Sequence, residues 1–597
     1  MDGDYNRRYL LAGLVFVTVA VVIVAQIVRL QVGPVAVALR KQGDSYNQQL
    51  HTFYPARGEI YDRWGHLLAG NETVYEVGID LRTKGKSPET IAYVLSKVLI
   101  PGHPEYDSQA YYNDVFTIVS SEPTTTTVYS VLADFVTQKE VDEIRQWSQQ
   151  YDALYRNRRE KDRPTLTGLA FRPHYQRTYP EKELGSNMIG FVSREGVGYF
   201  GVEAAYNPVL SGEPKSIWMP VDPNDVGEMP DIPDGASLIL TIDRDIQAMV
   251  EQTLDDALTE TGAVGGAILV TDPRSGEILA MATTPRMDLN QYWEASRLFP
   301  ARTPFNRAVS TDYEPGSVFK VLTMAAALDA GAVKPETTFY DTGSIEIGGY
   351  WIHNWNYGAW GEQTMQGCLQ HSLNVCLTWV AMQLGNEKFY DYMHKFGIGH
   401  RTGVDLAEEV PGRLKIPGDE DWYEVELGTN SFGQGVAVTP IQMVTAVGAV
   451  ANGGKMMQPH ILRAYVDRGA QYVMPTNVLG TPITEKTART LSEILAASLE
   501  EEASSALIPG YRVAGKTGTA SISTPNGYDP NWTNASFVGW GPVDDPKFLV
   551  YIWLERPSTA EWGSVVAAPV FSKVFERLVV LTNLPPDDVR MQVVNGQ

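Results

Sequence analysis

Two residues near the middle of the chain have the types and spacing for nucleophilic chemistry. Ser317 and Lys320 stand three residues apart where a turn leads into an apolar helix predicted to begin at or near Ser317, so they share one helix face. A serine at a helix start has free backbone amides beside it that suit an oxyanion, and a buried lysine near a second cation can lose its proton and act as a base. The pattern alone is weak, because a capping serine and a surface lysine also produce it.

A second lysine lies in the stretch GYRVAGKT, residues 510–517, which satisfies the phosphate-loop pattern G-x-x-x-x-G-K-[ST]. A phosphate loop needs a strand before its first glycine and a helix opening at its lysine, because helix-start amides cradle the phosphate. Here apolar residues at helical spacing precede Gly510, and the alternating, β-branched run Thr519–Thr524 predicts a strand after it. We therefore expect Lys516 on a strand and reject a nucleotide site.

On a strand, the motif Lys516-Thr-Gly-Thr519 is suited to a peptide ligand. Gly518 would leave the backbone open to an extended peptide that pairs along the strand. Lys516 and the hydroxyls of Thr517 and Thr519 would then meet a carboxylate. Lys516 is also the cation that could lower the pKa of Lys320.

A third motif, Ser372-Leu-Asn374, interrupts an apolar stretch, residues 368–379, that we predict to be one helix. Polar side chains in a buried helix need partners, and backbone capping would suffice to supply them. The order Ser-x-x-Lys, Ser-x-Asn, Lys-Thr-Gly is nevertheless the three-part signature of acyl enzymes with an active-site serine. The joint occurrence is much more specific than any one motif.

The cysteine and histidine residues give no sign of a metal or cofactor. Cys368 and Cys376 are eight residues apart in the predicted helix, which would separate them by ~12 Å, too far for a disulfide. The sequence contains no H-E-x-x-H and no C-x-x-C pattern. We expect no disulfide between these cysteines, no metal site and no cofactor.

Composition points to a globular, acidic protein of two or three domains. The 597 residues are 44% hydrophobic and 20% charged, with a formal net charge of -23 and a sequence pI near 4.9. Nucleic-acid binding needs a basic face that neutralises phosphates, so we expect no nucleic-acid partner.

An apolar run near the N-terminus predicts a membrane anchor. Leu10–Val28 contains no charged residue and would span ~28 Å as a helix, close to the thickness of the hydrocarbon core. Arg7 and Arg8 precede it, which favours a cytoplasmic tail and an extracytoplasmic remainder. A cleaved signal peptide is the alternative, although the run is long for one and Gln26-Ile-Val-Arg-Leu30 lacks a small-x-small cleavage site.

The remaining pattern predicts an α+β fold in which an antiparallel sheet is flanked by helices. Strands are expected at Ser237–Asp243, Gly266–Thr271, Glu277–Thr283, Ala535–Trp540 and Phe548–Leu554, with helices through Ile246–Leu258 and Val565–Leu581. The predicted regions are a cytoplasmic tail (1–9), a transmembrane anchor (10–30), a mixed pedestal domain (31–222), a linker (223–235), a catalytic domain (236–582) and a polar tail (583–597).

With its three motifs, the chain resembles the class B penicillin-binding proteins of the penicillin-binding protein 2 type, which are membrane-anchored D,D-transpeptidases that cross-link peptidoglycan. The resemblance covers nearly the whole chain and includes further boxes. These boxes are Arg57–Gly65 with Leu68-Ala69, Gly198–Glu203, Leu210–Gly212, Leu240–Asp243, Asp272–Ala280, Phe432–Gly435 and Thr439-Pro440. The middle residue of the second motif is Leu373, where class A β-lactamases carry Asp.

The resemblance implies a role for each motif residue in transferring the penultimate D-Ala of a stem pentapeptide to an amine. Ser317 would be the nucleophile and Lys320 its base. Ser372 would relay a proton to the leaving group, Asn374 would hold the acyl amide, and Lys516 would support Ser372 electrostatically.

The same resemblance implies the binding groups and the partners. Thr517 and Thr519, with Gly518 between them, would bind the terminal carboxylate, and the amides of Ser317 and Thr519 would form the oxyanion hole. β-Lactams would acylate Ser317 as substrate mimics. A membrane glycosyltransferase of the SEDS type is the implied protein partner.

Three other functions share these motifs. A serine β-lactamase or β-lactam sensor is disfavoured by the pedestal of ~190 residues, which single-domain enzymes do not need. A D,D-carboxypeptidase would differ only in using water as the acceptor. A scaffold that activates the glycosyltransferase would use its anchor and pedestal and need no active Ser317.

Between cell elongation and division we favour elongation, because only a polar tail follows about Asn583.

The aromatic stretch Tyr350–Trp360 could line a substrate groove, but packing beneath a loop is the interpretation we favour. His371 is adjacent to Ser372 and would point away from it on a helix, so no Ser-His pair is expected.

Overall fold

The computed structural model of the chain describes residues 3–32, 48–102, 107–124, 127–159, 162–220, 232–301, 303–502, 504–524 and 527–595. The chain divides into two compact units, Met1–Ala56 with Gly212–Gly235, and Arg57–Ser211 with Ala236–Gln597. The predicted linker, 223–235, lies outside the described residues except for 232–235.

The first unit contains one long helix and one strand pair. Helix Gly3–Val32 includes the apolar segment Tyr9–Arg29, which has a mean hydropathy of 2.8 and no buried side chain. As a helix, such a segment spans ~32 Å, enough to cross a bilayer. Strand Gln48–Phe53 pairs antiparallel with Lys215–Pro220. The apolar helix therefore has the length and composition of a single membrane anchor.

Within the described residues, the second unit has a mixed seven-stranded sheet. Strand Leu67–Asp80 pairs with three other strands of this sheet, Ile60–Tyr61, Tyr129–Thr137 and Leu169–Thr178. Strand Ile60–Tyr61 pairs antiparallel with Leu67–Asp80 and parallel with Ser237–Leu240. One sheet thus includes strands from both the region predicted as the pedestal and the region predicted as the catalytic domain.

Helices of the pedestal region cover part of this sheet. Helix Gln138–Leu154 begins with a capping box, in which Thr137 and Glu140 bond to each other's backbone amides. Its buried residues Val141 and Ile144 join a separate apolar cluster with helix Pro88–Leu99. The capping box and the apolar face explain why this polar stretch is helical.

A five-stranded antiparallel sheet forms the centre of the catalytic region. Its strands, in spatial order, are Ile278–Thr283, Gly265–Thr271, Phe548–Glu555, Gly527–Gly541 and Ala514–Thr524. In the second strand, Ala267 and Leu269 face one apolar cluster while Ile268 and Val270 face another. Both faces are therefore covered, which confirms the predicted sheet flanked by helices.

The position of Lys516 excludes a phosphate loop. Helix Glu485–Glu501 precedes residues 510–517, and Lys516 lies inside strand Ala514–Thr524, where no helix begins. Both predicted features are confirmed, and the helix-start amides that would cradle a phosphate are missing at Lys516.

The prediction of one continuous helix through residues 368–379 is wrong, and so is the expected separation of the two cysteines. Helix Met365–Gln370 ends before Ser372, which adopts a φ of 52°, and helix Asn374–Leu384 begins afterwards. This turn brings the Cα atoms of Cys368 and Cys376 to 5.9 Å, and the two residues form a disulfide. The estimate of ~12 Å failed because it assumed an unbroken helical rise.

The C-terminal segments pack against the sheet region. The predicted closing helix is observed as Gly563–Val566 followed by Ala568–Leu581. A further helix, Asp587–Asn595, lies in the part expected to be a polar tail, and its first carboxylate accepts a hydrogen bond from the backbone amide of Arg512.

The second unit contains further short and long elements among its described residues. The remaining helices are Ser108–Ser120, Ser186–Ile189, Gly201–Ala205, Asn207–Leu210, Arg244–Thr261, Ala295–Leu298, Arg307–Ser310, Lys320–Asp329, Asn386–Lys395, Val425–Ser431 and Pro440–Ala451. The remaining strands are Tyr129–Thr137, Leu169–Thr178, Phe191–Val192, Gly198–Tyr199, Thr338–Asp341, Ser344–Ile347, Tyr350–His353, Gly361–Thr364, Met456–Met457, Leu462–Asp467, Ala470–Val473 and Val478–Gly480. Short 3₁₀ turns occur at Ile100–Gly102, Leu289–Glu294 and Gly316–Phe319.

Candidate active site

The three motifs meet at one cavity of about 470 Å³. Five of the predicted site residues line it: Ser317, Ser372, Asn374, Thr517 and Thr519. Lys320 and Lys516 are buried directly behind this lining, with their side-chain nitrogens bonded to lining residues. The fold therefore brings together residues that are far apart in the sequence.

Ser317 lies on a single 3₁₀ turn, Gly316–Phe319, that is held between two backbone segments. Gly316 has a φ of 60° and its amide donates to the carbonyl of Gly433. A Cβ on Gly316 would lie 2.6 Å from the carbonyl oxygen of Thr519. A glycine is therefore required for the turn to approach the strand closely enough to present Ser317 to the cavity.

Lys320 is fully buried and uses three hydrogen bonds. Its Nζ donates to the carbonyl oxygen of Ser372 at 2.7 Å, to the hydroxyl of Ser372 at 3.1 Å and to Oδ1 of Asn374 at 2.8 Å. Burial holds the pKa of Lys320 well below its usual range, and the nearby charge of Lys516 lowers it further. Both effects favour the neutral amine, which can donate only two of these three bonds and has a lone pair that can accept a proton.

The turn that carries Ser372 is fixed from several sides. The left-handed φ of Ser372 is unusual for a residue other than glycine, and it is what directs both its carbonyl and its hydroxyl toward Lys320. Asn374 Nδ2 donates to the carbonyl of His353, and the amide of Val375 donates to Asn354 Oδ1. We infer that the surrounding contacts hold a locally strained conformation in place.

The Cys368–Cys376 disulfide brackets this turn. Both cysteines are fully buried, one on each of the helices that flank Ser372. Sequence reasoning missed the disulfide because it missed the turn. Ser372 and Asn374 were the one sign of the turn in the sequence, because two polar residues in an apolar stretch are typical of a helix end.

Lys516 lies on the edge strand of the five-stranded sheet, paired opposite Val538. Its Nζ donates to the carbonyl and the hydroxyl of Thr517, both at 3.2 Å. Burial lowers the pKa of Lys516 to about 8, and the carboxylate of Glu502 opposes this shift. Near neutral pH, Lys516 is therefore mostly a cation beside the cavity.

Gly518 has a structural role that differs from the expected one. The direction of its missing Cβ is filled, because a Cβ there would lie 2.3 Å from Oγ of Ser536 and 2.9 Å from Cγ1 of Val318. Gly518 therefore permits the turn of Ser317 to pack against the strand, and it does not line the cavity. The Thr519 hydroxyl accepts from the amide of Gly563 at 3.0 Å, which leaves its own proton available to a ligand.

Several cavity residues were not predicted. His371 lines the wall beside Ser372, its ring stacks on Trp360 at 4.3 Å, and its Nδ1 lies 3.9 Å from Glu502. Burial lowers the pKa of His371, with a smaller opposing effect from Glu501. The neutral ring is thus favoured, and His371 forms part of an aromatic wall.

The expected packing role of the aromatic stretch is wrong for five of its members, of which Tyr350, Trp351 and Tyr357 are exposed. Trp355 and Trp360 both line the cavity. Trp355 donates from Nε1 to the carbonyl of His371, and its ring meets that of Trp562 with centroids 5.2 Å apart. Alternating polar and aromatic residues were the available signal, but only the fold shows which aromatic side chains reach the cavity.

The described residues contain no group of three or more His, Cys, Asp or Glu side chains that could hold a metal ion. What the cavity offers instead is a serine, a buried amine with a lowered pKa, a second lysine, and hydroxyl and amide groups around them. These groups are suited to acyl transfer through a covalent serine intermediate.

Two family models match the chain. The penicillin binding protein transpeptidase domain matches residues 266–576, and the penicillin-binding protein dimerisation domain matches residues 52–227. Together they cover every residue that lines the cavity and six of the seven strands of the mixed sheet, all except Ser237–Leu240.

Curated relatives and solved structures agree with these matches. Stage V sporulation protein D of Bacillus subtilis is 32% identical over 560 residues, which is 89% of this chain and 79% of the relative. Peptidoglycan D,D-transpeptidase FtsI of Escherichia coli K12 is 28% identical over 428 residues, 71% of this chain and 70% of the relative. Penicillin binding protein 3 of Mycobacterium tuberculosis in complex with aztreonam has a TM-score of 0.67 and 25% identity, covering 90% of this chain and 98% of that one. Penicillin binding protein 2X of Streptococcus thermophilus shares the fold with a TM-score of 0.72 at 21% identity, covering 89% of this chain and 80% of that one.

Proposed function

The chain belongs to the penicillin-binding protein transpeptidase family, and from this premise we propose that it is a serine-type peptidoglycan D,D-transpeptidase with Ser317 as its nucleophile. Its substrates are peptidoglycan stem peptides, and β-lactams acylate it as substrate mimics. The observation that carries the proposal is the buried Lys320, which lies one turn from Ser317 and bonds to both Ser372 and Asn374.

In the first half-reaction, Ser317 Oγ attacks the carbonyl carbon of the penultimate D-Ala. The neutral amine of Lys320 takes the hydroxyl proton as the new C–O bond forms. The C–N bond to the terminal D-Ala then breaks, Ser372 passes a proton to the leaving amine, and Ser372 is reprotonated by Lys320. The products of this step are an acyl-enzyme on Ser317 and free D-Ala.

Two sets of groups stabilise this step. The backbone amides of Ser317 and Thr519 receive the developing oxyanion, and Asn374 holds the acyl amide. The charge of Lys516 and the hydroxyls of Thr517 and Thr519 attract the terminal carboxylate of the donor peptide. Gly518 contributes by letting the turn of Ser317 approach the strand.

In the second half-reaction, an amine on a neighbouring stem peptide attacks the acyl carbon. Its nitrogen gives a proton to Ser372 or Lys320, its new C–N bond replaces the ester bond to Ser317, and the Ser317 oxygen takes up that proton. A carboxypeptidase would use water at this step. Mass analysis of products formed from stem peptides with and without an added acceptor amine distinguishes the two reactions.

The most direct test of the proposal is labelling with a fluorescent penicillin. The wild-type chain is expected to form a long-lived covalent adduct, and Ser317→Ala is expected to form none. Ser536→Ala is the matched control, because this serine is also buried near the strand but is not among the residues that line the cavity. Rapid turnover of the adduct would instead indicate a β-lactamase, and equal labelling of Ser317→Ala would exclude Ser317 as the nucleophile.

We further propose the topology and the domain roles. The anchor at residues 10–30 leaves residues 1–9 in the cytoplasm and places the catalytic region, 236–582, outside, because Arg7 and Arg8 precede the apolar run. Residues 31–222 act as a pedestal, and with the anchor they contact a SEDS-type glycosyltransferase. Co-purification with such an enzyme, compared between the wild type and Ser317→Ala, tests the contact separately from catalysis.

A further inference from the structure

An exposed aromatic surface continues outward from the mouth of the cavity. Strands Ser344–Ile347 and Tyr350–His353 form a hairpin in which Ile345 lies opposite Ile352 and Glu346 lies opposite Trp351. Because side chains alternate along a strand, Trp351 and His353 share the face opposite to that of Ile352. We call the four residues Trp351, His353, Trp355 and Tyr357 the aromatic face.

The two faces of the hairpin have different surroundings. Ile347 and Ile352 are buried, and the side chain of Ile352 lies against Gly428 on a neighbouring helix. On the other face, Trp351 is 60% exposed and Tyr357 is 79% exposed. Large aromatic side chains in a contiguous exposed group are typical of a binding surface.

The aromatic face is continuous with the proposed catalytic cavity. Trp355 lines the cavity while remaining 47% exposed. The ring of His353 meets that of Tyr357 with centroids 5.2 Å apart. Trp355 thus connects the catalytic cavity with the turn that follows strand Tyr350–His353.

The charges near the aromatic face define the chemistry of a ligand. Residues 335–364 contain three exposed acidic side chains, those of Glu336, Glu346 and Glu362, and no lysine or arginine; the fourth acidic residue, Asp341, is buried. Such a surface does not attract anionic lipid headgroups or phosphates. It suits a neutral molecule with flat apolar faces, and the C–H faces of a sugar ring fit flat on an aromatic ring while the hydroxyl edges remain in water.

We propose that the aromatic face binds the glycan strand of the peptidoglycan whose stem peptide enters the cavity, an inference that rests on the proposed function. Connectivity supports it. Strand Tyr350–His353 leads into the turn of Trp355, which lines the cavity, so the hairpin that carries Trp351 adjoins the site of the stem peptide, to which the glycan strand is covalently attached.

The test uses the full-length protein in detergent micelles and a soluble hexamer of N-acetylglucosamine as the probe. This probe is neutral and carries no stem peptide, so it reports on sugar binding alone. Calorimetric titration is expected to show binding to the wild type and at least tenfold weaker binding to the double variant Trp351→Ala, Tyr357→Ala. The matched control is Trp293→Ala, since Trp293 is 62% exposed but lies outside the aromatic face.

Two further variants separate binding from catalysis and from folding. Ser317→Ala is expected to bind the hexamer as the wild type does while losing penicillin labelling. Hexamer binding therefore tests the glycan site, and penicillin labelling separately tests Ser317 as the nucleophile. Trp351→Phe keeps a flat aromatic ring and is expected to bind within about threefold of the wild type. If the double variant loses penicillin labelling through misfolding, Trp351→Phe and Trp351→Gln provide the comparison instead.

Two results would overturn the inference. Equal hexamer affinity in the wild type and in the variants without an aromatic side chain at 351 would show that the face does not bind sugar. Self-association of the micellar protein that depends on Trp351, with no hexamer binding, would assign the face to a second copy of the chain.

Discussion

The side-chain nitrogen of Lys320 lies 2.7 Å from the carbonyl oxygen of Ser372 and 3.1 Å from its hydroxyl. One amine thus joins the turn of the proposed nucleophile to the turn of the proposed proton relay. Because Lys320 is fully buried and near Lys516, its neutral form is favoured. Proton transfer in the site therefore depends on the contact between Lys320 and Ser372 and on the groups that hold the two turns in place.

Replacing Lys320 should remove the base. We expect Lys320→Ala to slow penicillin acylation by ~10²–10⁴-fold, the usual contribution of general base catalysis. Lys320→Arg should be slowed similarly, because a guanidinium does not lose its proton near neutral pH. Stopped-flow acylation measures both, with the exposed Lys334→Ala as control. Wild-type rates in either Lys320 variant would contradict the proposed role.

The acylation rate should depend on pH in a bell-shaped manner. It should rise with pH as Lys320, whose pKa is depressed, becomes neutral, and it should fall as Lys516, whose pKa is about 8, loses its charge. Lys516→Arg should keep the charge and move the alkaline limb upward by at least one pH unit. Rate profiles between pH 5 and 10 measure both limbs, and an unchanged alkaline limb in Lys516→Arg would assign that limb to another group.

The disulfide should stabilise the turn that carries Ser372. Closing a loop of eight residues is worth about 2–3 kcal/mol in the chain-entropy model. We expect Cys368→Ala with Cys376→Ala to lower the free energy of unfolding by that amount and to slow acylation, because the turn becomes less well fixed. Urea unfolding and acylation rates measure the two effects.

Reduction is the internal control for the disulfide prediction. A reductant should reproduce the effect in the wild type and leave the double alanine variant unchanged. If the reduced wild type unfolds at the same urea concentration as the oxidised protein, the disulfide does not contribute to stability.

Gly518 should be sensitive to even a single methyl group. A Cβ at this position would lie 2.3 Å from Ser536 Oγ and 2.9 Å from Val318 Cγ1, so Gly518→Ala should displace the turn of Ser317. We expect a loss of acylation of at least tenfold and a destabilisation of ~1–3 kcal/mol. Adding Ser536→Ala should restore part of both losses, since it removes the nearer contact. Wild-type acylation in Gly518→Ala would mean that the strand and the turn can separate without cost.

Much of the fold could be read from local patterns. The strands of the central sheet and the helix before Gly510 follow from hydrophobic periodicity, which depends only on near neighbours in the sequence. The chemistry of the site followed from residue types and their order. The apolar helix near the N-terminus was equally visible, because crossing a bilayer needs only length and composition.

The features that the sequence did not predict all depend on contacts between segments that are far apart in the chain. The break at Ser372 could not be read because an apolar run looks the same whether it forms one helix or two, and the disulfide was lost with it. The role of Gly518 depends on Ser536 and Val318, which lie on other segments. Likewise, the aromatic stretch alone does not reveal that Trp355 reaches the cavity.

By itself, the sequence determined which chemical groups the protein has and which local structures carry them, because both depend on residues that are close along the chain. Only the tertiary structure decided that Lys320 meets Ser372, 52 residues away, and that Ser317 is held against the strand of Lys516. Such contacts depend on how whole segments pack together, and packing is a property of the entire core, whose surfaces no short stretch of sequence contains.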